Sequence, residues 1–281
     1  MRTFHLTISL FIALMFVGCN ASDAVQPIES PTGRVTISFS PYDLEPLSRA
    51  TSPISAYCSR LDVWINDGTV TSVYHQTTAT PGFGTLSLTL NRTKTYSIVA
   101  VAHKCAEPAT FADGLITFPS DRLTHAMTFT TSFSPSDSST LSCVMTRVVG
   151  AFRLETTDAV PKSCATMRFT FACNDRWHIA TATSTHQADK SVDIPVTSTH
   201  DDGTAAFTFY VMPDNLTDTS QFHITATALT ASGAVIESKT FSDVPVRAGY
   251  RTTYRGMFFT TVAPSAAFLI DDITDLITIN Y

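Results

Sequence analysis

Charge is scarce in this chain of 281 residues, and glycine and tryptophan are scarce with it. Lys and Arg together number 18 and Asp and Glu 24, so 15% of residues are charged and the formal net charge is −6. An acidic chain without clustered basic residues is not expected to bind nucleic acid. The 11 glycines do not form a P-loop or the GxGxxG pattern that binds phosphates of nucleotides.

Catalytic and metal-binding motifs are also missing from the sequence. The eight histidines show no HExxH or HxxxH spacing, no CxxC pair is present, and the GxSxG turn of serine hydrolases is absent. The acidic pairs Asp201-Asp202 and Asp271-Asp272 lie in turn-like contexts and lack the spacing of a calcium loop. The sequence therefore predicts no enzyme, no cofactor and no metal site.

The N-terminus does contain a long apolar run. After the single basic residue Arg2, the run extends from Leu6 to Val17 and ends at Gly18-Cys19. This is the pattern of a signal peptide, and the run is shorter than the roughly 20 residues of a membrane-spanning helix. Gly before Cys is similar to the bacterial lipobox, which predicts a signal peptide over residues 1–18 and acylation (palmitate) at Cys19. An ordinary secretory signal with an incidental cysteine is the alternative.

The remaining sequence has the composition and periodicity of a β-protein. Hydrophobic residues make up 44% of the chain, and polar positions are mostly Thr and Ser. Alternation of apolar and polar residues predicts strands at residues 34–40, 61–65, 86–90, 96–101, 127–129, 167–171, 206–211 and 222–226. Turns are predicted at residues 66–68, 201–203 and 231–233.

These strands predict an all-β fold of two tandem β-sandwiches with few short helices. A polar segment over residues 134–140 suggests the boundary between them. We expect an N-terminal sandwich over residues 34–140 and a C-terminal sandwich over residues 141–281. Residues 19–33, with Pro27 and Pro31, are expected to tether the first strand to the lipid.

Five cysteines remain besides Cys19, and the sequence leaves two interpretations of them open. Cys58 and Cys105 start and end predicted strands, and Cys164 and Cys173 flank another, so an exported chain has two candidate disulfides. The alternative is that all five, including Cys143, are small buried apolar residues.

Three segments and one middle portion resemble the fimbrillins of Bacteroidales, the FimA-type and FimB-type subunits of type V pili. The signal ending at Cys19 is the first. The others are residues 33–40 (GRVTISFS) with 47–51 (LSRAT) and 58–68 (CSRLDVWINDG), residues 147–154 (RVVGAFRL) followed by Val160-Pro161, and residues 244–259 (VPVRAGYRTTYRGMFF). The order of these segments, rather than any one of them, carries the resemblance.

The resemblance implies transthyretin-like sandwiches in a fimbrial lipoprotein of the outer membrane that contributes to cell adhesion. An arginine-specific protease would cut after Arg49, leaving Ala50 as the new N-terminus. The excised strand, with Val35, Ile37 and Phe39 pointing inward, would be replaced by a strand from a neighbouring subunit. The implied partners are other fimbrial subunits and a host or bacterial surface ligand. Arg49 in an ordinary surface loop is the alternative.

The C-terminal segment suits two roles that the sequence does not separate. Residues 268–281 are apolar and β-prone, and Ile273, Leu276, Ile277 and Ile279 are the candidate side chains of a donor strand. The segment also suits an integral edge strand of the second sandwich. The sequence likewise leaves open whether the chain is a stalk, tip or lipid-anchored base subunit.

A glycan-binding surface lipoprotein is the rival hypothesis. Sugar sites present exposed aromatic side chains, and the chain contains two tryptophans. Trp64 lies in an alternating strand and is expected in the core, whereas Trp177 is expected in a loop as a sugar platform.

Overall fold

The alternating segments of the sequence form β-strands in the computed structural model, which describes residues 31–42, 53–119, 123–197 and 205–260 and the backbone of 269–272. In chain order the strands are β1 (Thr32–Pro41), β2 (Arg60–Asn66), β3 (Thr71–Thr77), β4 (Thr85–Asn91), β5 (Tyr96–His103), β6 (Thr110–Ala112), β7 (Leu115–Thr117), β8 (Ala126–Phe133), β9 (Thr140–Arg147), β10 (Gly150–Thr156), β11 (Cys164–His178), β12 (Thr183–Pro195), β13 (Ala205–Val211), β14 (Ser220–Thr230), β15 (Val235–Val246), β16 (Tyr250–Gly256) and β17 (Leu269–Asp272). Within the described ranges the helical content is a single 3-10 turn, Ile54–Ala56. The all-β prediction is confirmed.

The first lobe is a sheet of seven strands in the order β3-β2-β5-β8-β9-β1-β4. At its corner β8 and β9 share only the pairs Met127↔Arg147 and Thr128↔Thr146. The sheet bends there, so the inner faces of β3-β2-β5-β8 and β9-β1-β4 meet and bury one core between them. Side chains from both halves, such as Ile37 of β1 and Ile98 of β5, belong to that core.

The second lobe packs two further sheets face to face. One has the order β13-β10-β16-β17, and the other has the order β15-β14-β11-β7-β6, with β12 along the opposite side of β11. Alternate residues of β10, β11 and β13 point inward, as the period of two requires. Phe152, Phe169 and Phe209 are at most 1% exposed and belong to this core.

The two lobes share buried surface instead of being independent sandwiches. Strand β7 crosses from the first half of the chain and pairs with the end of β11, for example Ile116 with Trp177. Trp64 of β2 and Val99 and Val101 of β5 belong to the core of the second lobe. Residues Thr32–Tyr281 accordingly group as one compact unit.

The division between the lobes lies later in the chain than the expected boundary after residue 140. Strand β9 begins at Thr140 and is paired with β1 in the first lobe. The chain passes to the second lobe between Arg147 and Gly150. A Cβ atom on Gly150 would lie 2.5 Å from the carbonyl oxygen of Arg247, so glycine is required where the chain crosses. The polar segment 134–140 is instead the connection between β8 and β9.

Two of the three predicted turns are confirmed. Asn66 is the last residue of β2, and Asp67 and Gly68 begin the connection to β3, with Gly68 at φ +91°. Gly233, at φ +84°, lies in the turn between β14 and β15. The turn predicted at 201–203 lies outside the described residues. In the part of the chain that the structure describes, no helix is long and apolar enough to cross a membrane.

Candidate functional site

Strand β1 is a core strand of the first lobe. Its sequence alternates β-branched or aromatic residues with polar ones, which places Val35, Ile37 and Phe39 on one face of the pleat. These three side chains are 1%, 0% and 5% exposed. The inward orientation predicted for them is therefore found in the structure.

Both edges of β1 are hydrogen-bonded to neighbouring strands. It runs antiparallel to β4, from Thr32↔Asn91 to Ser38↔Thr85. It runs parallel to β9, from Thr36↔Thr140 to Pro41↔Met145. Removal of β1 would therefore open a slot between β4 and β9, with unpaired main-chain groups on both sides and the apolar core beneath.

Aliphatic side chains and one thiol form the sides of this slot. Ile37 lies beside Leu86 of β4 and Leu141 of β9 in the two registers, and Phe39 lies beside Cys143. Leu86 is 7% and Cys143 0% exposed. Residues paired across neighbouring strands share a face, so these groups contact the inward side chains of β1.

Strand β4 depends on β1 for its strand pairing, because β1 is its one strand partner among the described residues. A second attachment comes from the side chain of Gln76 on β3, which is 7% exposed. The Gly84 N–H donates to Gln76 Oε1 at 3.0 Å, and Gln76 Nε2 donates to the carbonyl of Thr85 at 2.9 Å. We call this pair of hydrogen bonds the Gln76 clasp. It joins β3 and β4, which are the two end strands of the first-lobe sheet.

The chain is fixed again shortly after β1. The 3-10 turn Ile54–Ala56 is closed by hydrogen bonds from the Tyr57 and Cys58 N–H groups to the carbonyl of Ile54, at 3.1 and 2.9 Å. Ile54 is 2% exposed and belongs to the first-lobe core. The predicted cleavage site, Arg49 and Ala50, lies between β1 and this turn, outside the described residues.

The predicted disulfides are wrong. None of the five described cysteines forms a disulfide, and all are buried. Cys164 and Cys173 are nine positions apart on β11, and at about 3.3 Å per residue along a strand they cannot meet. Cys58 and Cys105 are not bonded to each other either, and burial raises the pKa of the Cys58 thiol to about 12. The alternative interpretation, small buried apolar residues, is the one that the structure supports.

The tryptophan sugar platform is also wrong. Trp177 lies within strand β11 and is 1% exposed, in the core of the second lobe. Neighbouring Arg176 and His178 suggested a loop, but they alternate with Trp177 along a strand that pairs with β12 and β7. Trp64 is buried as expected, at 7%.

A buried polar network that the sequence did not reveal lies on the face of β2 that is turned toward the second lobe. Asp62 and His103 are both 0% exposed. Asp62 Oδ1 is 2.7 Å from His75 Nδ1, and Oδ2 is 2.9 Å from His103 Nε2. The Ala109 N–H donates to Asp62 Oδ2 at 2.8 Å, and the Cys105 N–H donates to His103 Nδ1 at 3.1 Å. Since His103 Nδ1 accepts, its Nε2 is the atom that donates to Asp62.

This network holds the chain segment that leads to β6 and β7. Burial alone would raise the pKa of Asp62, but hydrogen bonds from His103, His75 and the Ala109 N–H outweigh it and lower the pKa below its usual value. Arg60 reinforces the same segment through hydrogen bonds to the carbonyl of Ala106. The network is therefore structural, because it fixes the connection between the lobes.

The C-terminal segment is described only at its start. Leu269–Asp272 forms β17, an edge strand antiparallel to β16, from Tyr250↔Asp272 to Thr253↔Leu269. The candidate donor side chains Ile273, Leu276, Ile277 and Ile279 lie outside the described residues, as does Cys19. In the described part of the chain no group of three His, Cys, Asp or Glu side chains is placed to hold a metal ion.

Comparison with known proteins gives one family and several structures of the same fold. The model of a family of unknown function (DUF6562) matches residues 120–280. No curated protein matches the sequence significantly. A "putative adhesin" of Bacteroides thetaiotaomicron is 11% identical with a TM-score of 0.51, covering 86% of this chain and 96% of that one.

Two other structures are similar to the same extent. A "putative cell adhesion protein" of Bacteroides ovatus is 10% identical with a TM-score of 0.52, covering 86% of this chain and 98% of that one. A protein of Bacteroides thetaiotaomicron described among "putative polysaccharide binding proteins (DUF1812)" is 12% identical with a TM-score of 0.53, covering 79% and 91%. At these identities the likeness shows the fold.

Proposed function

The chain belongs to the family of unknown function DUF6562, and we propose that it is a non-catalytic fimbrial subunit of the cell surface that assembles by strand exchange and contributes to cell adhesion. The observation that carries the proposal is β1, the first strand that the structure describes, which lies inside a sheet between β4 and β9. Two of the structures with the same fold are described as adhesion proteins, which is in keeping with this role.

The free energy that β1 contributes by burial favours filling the slot with another strand over leaving it empty. Burial of Val35, Ile37 and Phe39 contributes roughly 1.5–3 kcal/mol for each side chain. The sum, about 5–9 kcal/mol, is comparable with the whole stability of a typical domain, about 5–15 kcal/mol. A subunit that loses β1 therefore needs another strand, and an inserted strand regains both the main-chain hydrogen bonds and the apolar contacts.

Cleavage after Arg49 is the proposed trigger. The segment that contains Arg49 joins two fixed elements, since β1 ends at Pro41 and Ile54 is anchored in the core. A cut between them leaves β1 held only by non-covalent contacts. The remainder of the first lobe keeps its 3-10 turn and the Gln76 clasp, so the slot retains both walls.

The C-terminal segment is the proposed donor strand. In the free subunit its start pairs with β16 through four residue pairs, so few hydrogen bonds have to break before it can leave. Ile273, Leu276, Ile277 and Ile279 then supply apolar side chains for the slot of a neighbour. Other fimbrial subunits are the partners in this scheme, and acylation of Cys19 delivers the precursor to the outer membrane.

The proposal is tested with the purified precursor lacking residues 1–18 and a peptide of residues 268–281. After digestion with an arginine-specific protease, the peptide is expected to release the fragment ending at Arg49 and to take its place, as measured by native mass spectrometry. Variant Arg49→Gln, which is not cut at that site, and a peptide with Ile277→Asp and Ile279→Asp serve as controls. Retention of the fragment in the cut protein at saturating peptide would contradict strand exchange.

A further inference from the structure

A small pocket lies on the outer face of the sheet β13-β10-β16, away from the β1 slot. Its volume is about 190 Å³, and it is lined by Arg153, Glu155, Thr156, Ala205, Ala206 and Arg255. Glu155 pairs with Ala206 on one side and with Arg255 on the other, so three adjacent strands contribute to it. We call it the Arg153 pocket.

Two guanidinium groups in this pocket share a single carboxylate. Arg153 Nε donates to Glu155 Oε1 at 2.6 Å, and Arg255 Nε lies 3.8 Å from Glu155 Oε2. The Arg153 and Arg255 side chains are 27% and 39% exposed. Each guanidinium carries five N–H donors, and among the described residues Glu155 takes one hydrogen bond from the two groups. The pocket therefore has one net positive charge and several unused donors.

Another arginine–carboxylate pair on the protein shows what a closed arrangement looks like. On the outer face of β11 and β12, Arg168 donates from Nε and Nη2 to the two oxygens of Asp193, at 2.7 and 2.8 Å. That fork uses both carboxylate oxygens and leaves a neutral pair. The Arg168 and Asp193 side chains are 45% and 48% exposed, more than those of Arg153 and Glu155, and their charges balance. Arg168 therefore serves as the control for a surface arginine whose charge is already paired.

The location of the pocket favours a sugar over a peptide. Peptides add to sheets at an open edge, but β10 is hydrogen-bonded to β13 and β16 along both edges. A ligand over β10 therefore contacts side chains on the face of the sheet. Drug-sized ligands need pockets of about 300–1,000 Å³, so the smaller Arg153 pocket holds one ring. The small outward-facing Ala206 side chain leaves room for a ring, and guanidinium groups match the planar geometry of a carboxylate.

We propose that the Arg153 pocket binds one carboxylated or sulfated sugar unit of an acidic polysaccharide. Arg153 and Arg255 bind the anionic group by charge-assisted hydrogen bonds, and the ring lies over Ala206. The net charge of the chain is −6, but at physiological salt screening acts over about 8 Å, so the local arginines decide the attraction. This site is independent of strand exchange and is present in the uncut monomer.

Binding is measured by isothermal titration with polygalacturonate and with dextran sulfate, against fully methyl-esterified polygalacturonate and plain dextran as uncharged controls. We expect one acidic polymer or both to bind and the uncharged forms to bind at least about tenfold more weakly, since a charge-assisted hydrogen bond is worth about 1.5–3 kcal/mol. Carboxylate and sulfate recognition are distinguished by which acidic polymer binds.

Variants then test the residues. Arg153→Met and Arg255→Met are each expected to weaken binding about tenfold, and Glu155→Gln is expected to strengthen it because both guanidinium groups are freed. Arg168→Met is expected to leave binding unchanged. Three results would overturn the proposal: no binding of either acidic polymer, equal loss in Arg168→Met and Arg153→Met, or full competition by inorganic sulfate at the concentration of sugar units.

Discussion

In the first lobe most buried side chains are aliphatic, and among the described residues Phe39, Tyr96 and Phe133 are its buried aromatic residues. In the second lobe the ring of Phe152 alone lies within 6.1 Å of four other rings, those of Phe169, Phe209, Phe241 and Tyr254. Aromatic pairs prefer tilted and edge-on geometries and so constrain one another. Aliphatic side chains of similar volume replace each other at low cost.

This difference between the two cores suits different roles for the two lobes. A slot lined by Leu, Ile, Val and Cys accepts a strand of different sequence as long as the side chains are apolar and of similar size. A cluster of interlocked rings does not accept such a replacement without distortion. In the proposed strand exchange, the first lobe would therefore accept the new strand and the second lobe would be the fixed support.

The largest expected effect is that of Phe152→Ala. It should destabilise the protein by about 3–5 kcal/mol, because it removes the ring at the centre of the second-lobe cluster and leaves a cavity. Urea unfolding followed by far-UV circular dichroism measures the change. A loss below about 1 kcal/mol would mean that the aromatic core repacks as readily as an aliphatic one, and the contrast between the lobes would fail.

A comparable substitution in the exchangeable strand is Ile37→Ala. We expect a loss of about 2–4 kcal/mol in the uncut precursor, because Ile37 is fully buried. In the assembled form that lacks residues up to Arg49 the same substitution should have no effect on stability. If the two forms are destabilised equally, β1 has not been replaced.

A smaller effect is expected from Gln76→Ala, which removes the Gln76 clasp. The Gly84 N–H and the Thr85 carbonyl lose their side-chain partner, at a cost of about 1–3 kcal/mol. Since β1 also holds β4, the precursor should tolerate the change, whereas the cut protein should lose binding of the donor peptide. Hydrogen exchange of the β4 amides before and after cleavage measures this. Equal protection of β4 in both proteins after β1 leaves would contradict the role of the clasp.

The smallest expected effect is a change in acid sensitivity. The folded pKa of Asp62 is lowered, so its contribution is present above the unfolded value of about 3.9 and is lost as pH falls through the folded pKa. Asp62→Asn should remove up to about 1.4 kcal/mol per pH unit from the slope of stability below pH 4. Asp175→Asn should reduce the same slope from the second lobe, since the pKa of Asp175 is lowered too. An unchanged slope in Asp62→Asn would show that the Asp62 network does not link pH to folding.

Local pattern was enough to predict the strands and the inward face of β1. Val35, Ile37 and Phe39 alternate with polar residues, and a strand with one buried face leaves that signature. The signature of β2 was misleading, because Asp62 alternates with apolar residues yet lies inside. Both faces of β2 are covered. The face with Asp62 and Trp64 is covered by segments that are distant in sequence, and a local pattern does not predict such burial.

The wrong prediction for Trp177 and the missed Arg153 pocket have the same cause. Trp177 is flanked by Arg176 and His178, which suggests a loop, but pairing with β7 and β12 buries it. The Arg153 pocket was missed because Arg153, Glu155 and Arg255 come together only when β10 and β16, about a hundred positions apart, become neighbours. Alternation predicts which residues share a face of one strand and does not predict which strands lie side by side.

The pairing of β7 with β11 has a mechanical consequence for an assembled fibre. In the fibre that the proposed strand exchange would build, a subunit would be pulled at its first lobe, where a neighbour's strand is inserted, and at its C-terminal segment, which would leave the second lobe. The covalent crossing at 148–149 would be the single link between the lobes if they were separate. Here Arg176↔Thr117, Trp177↔Ile116 and His178↔Leu115 add a second link, so a stretching force is shared between the crossing and a short ladder of main-chain hydrogen bonds.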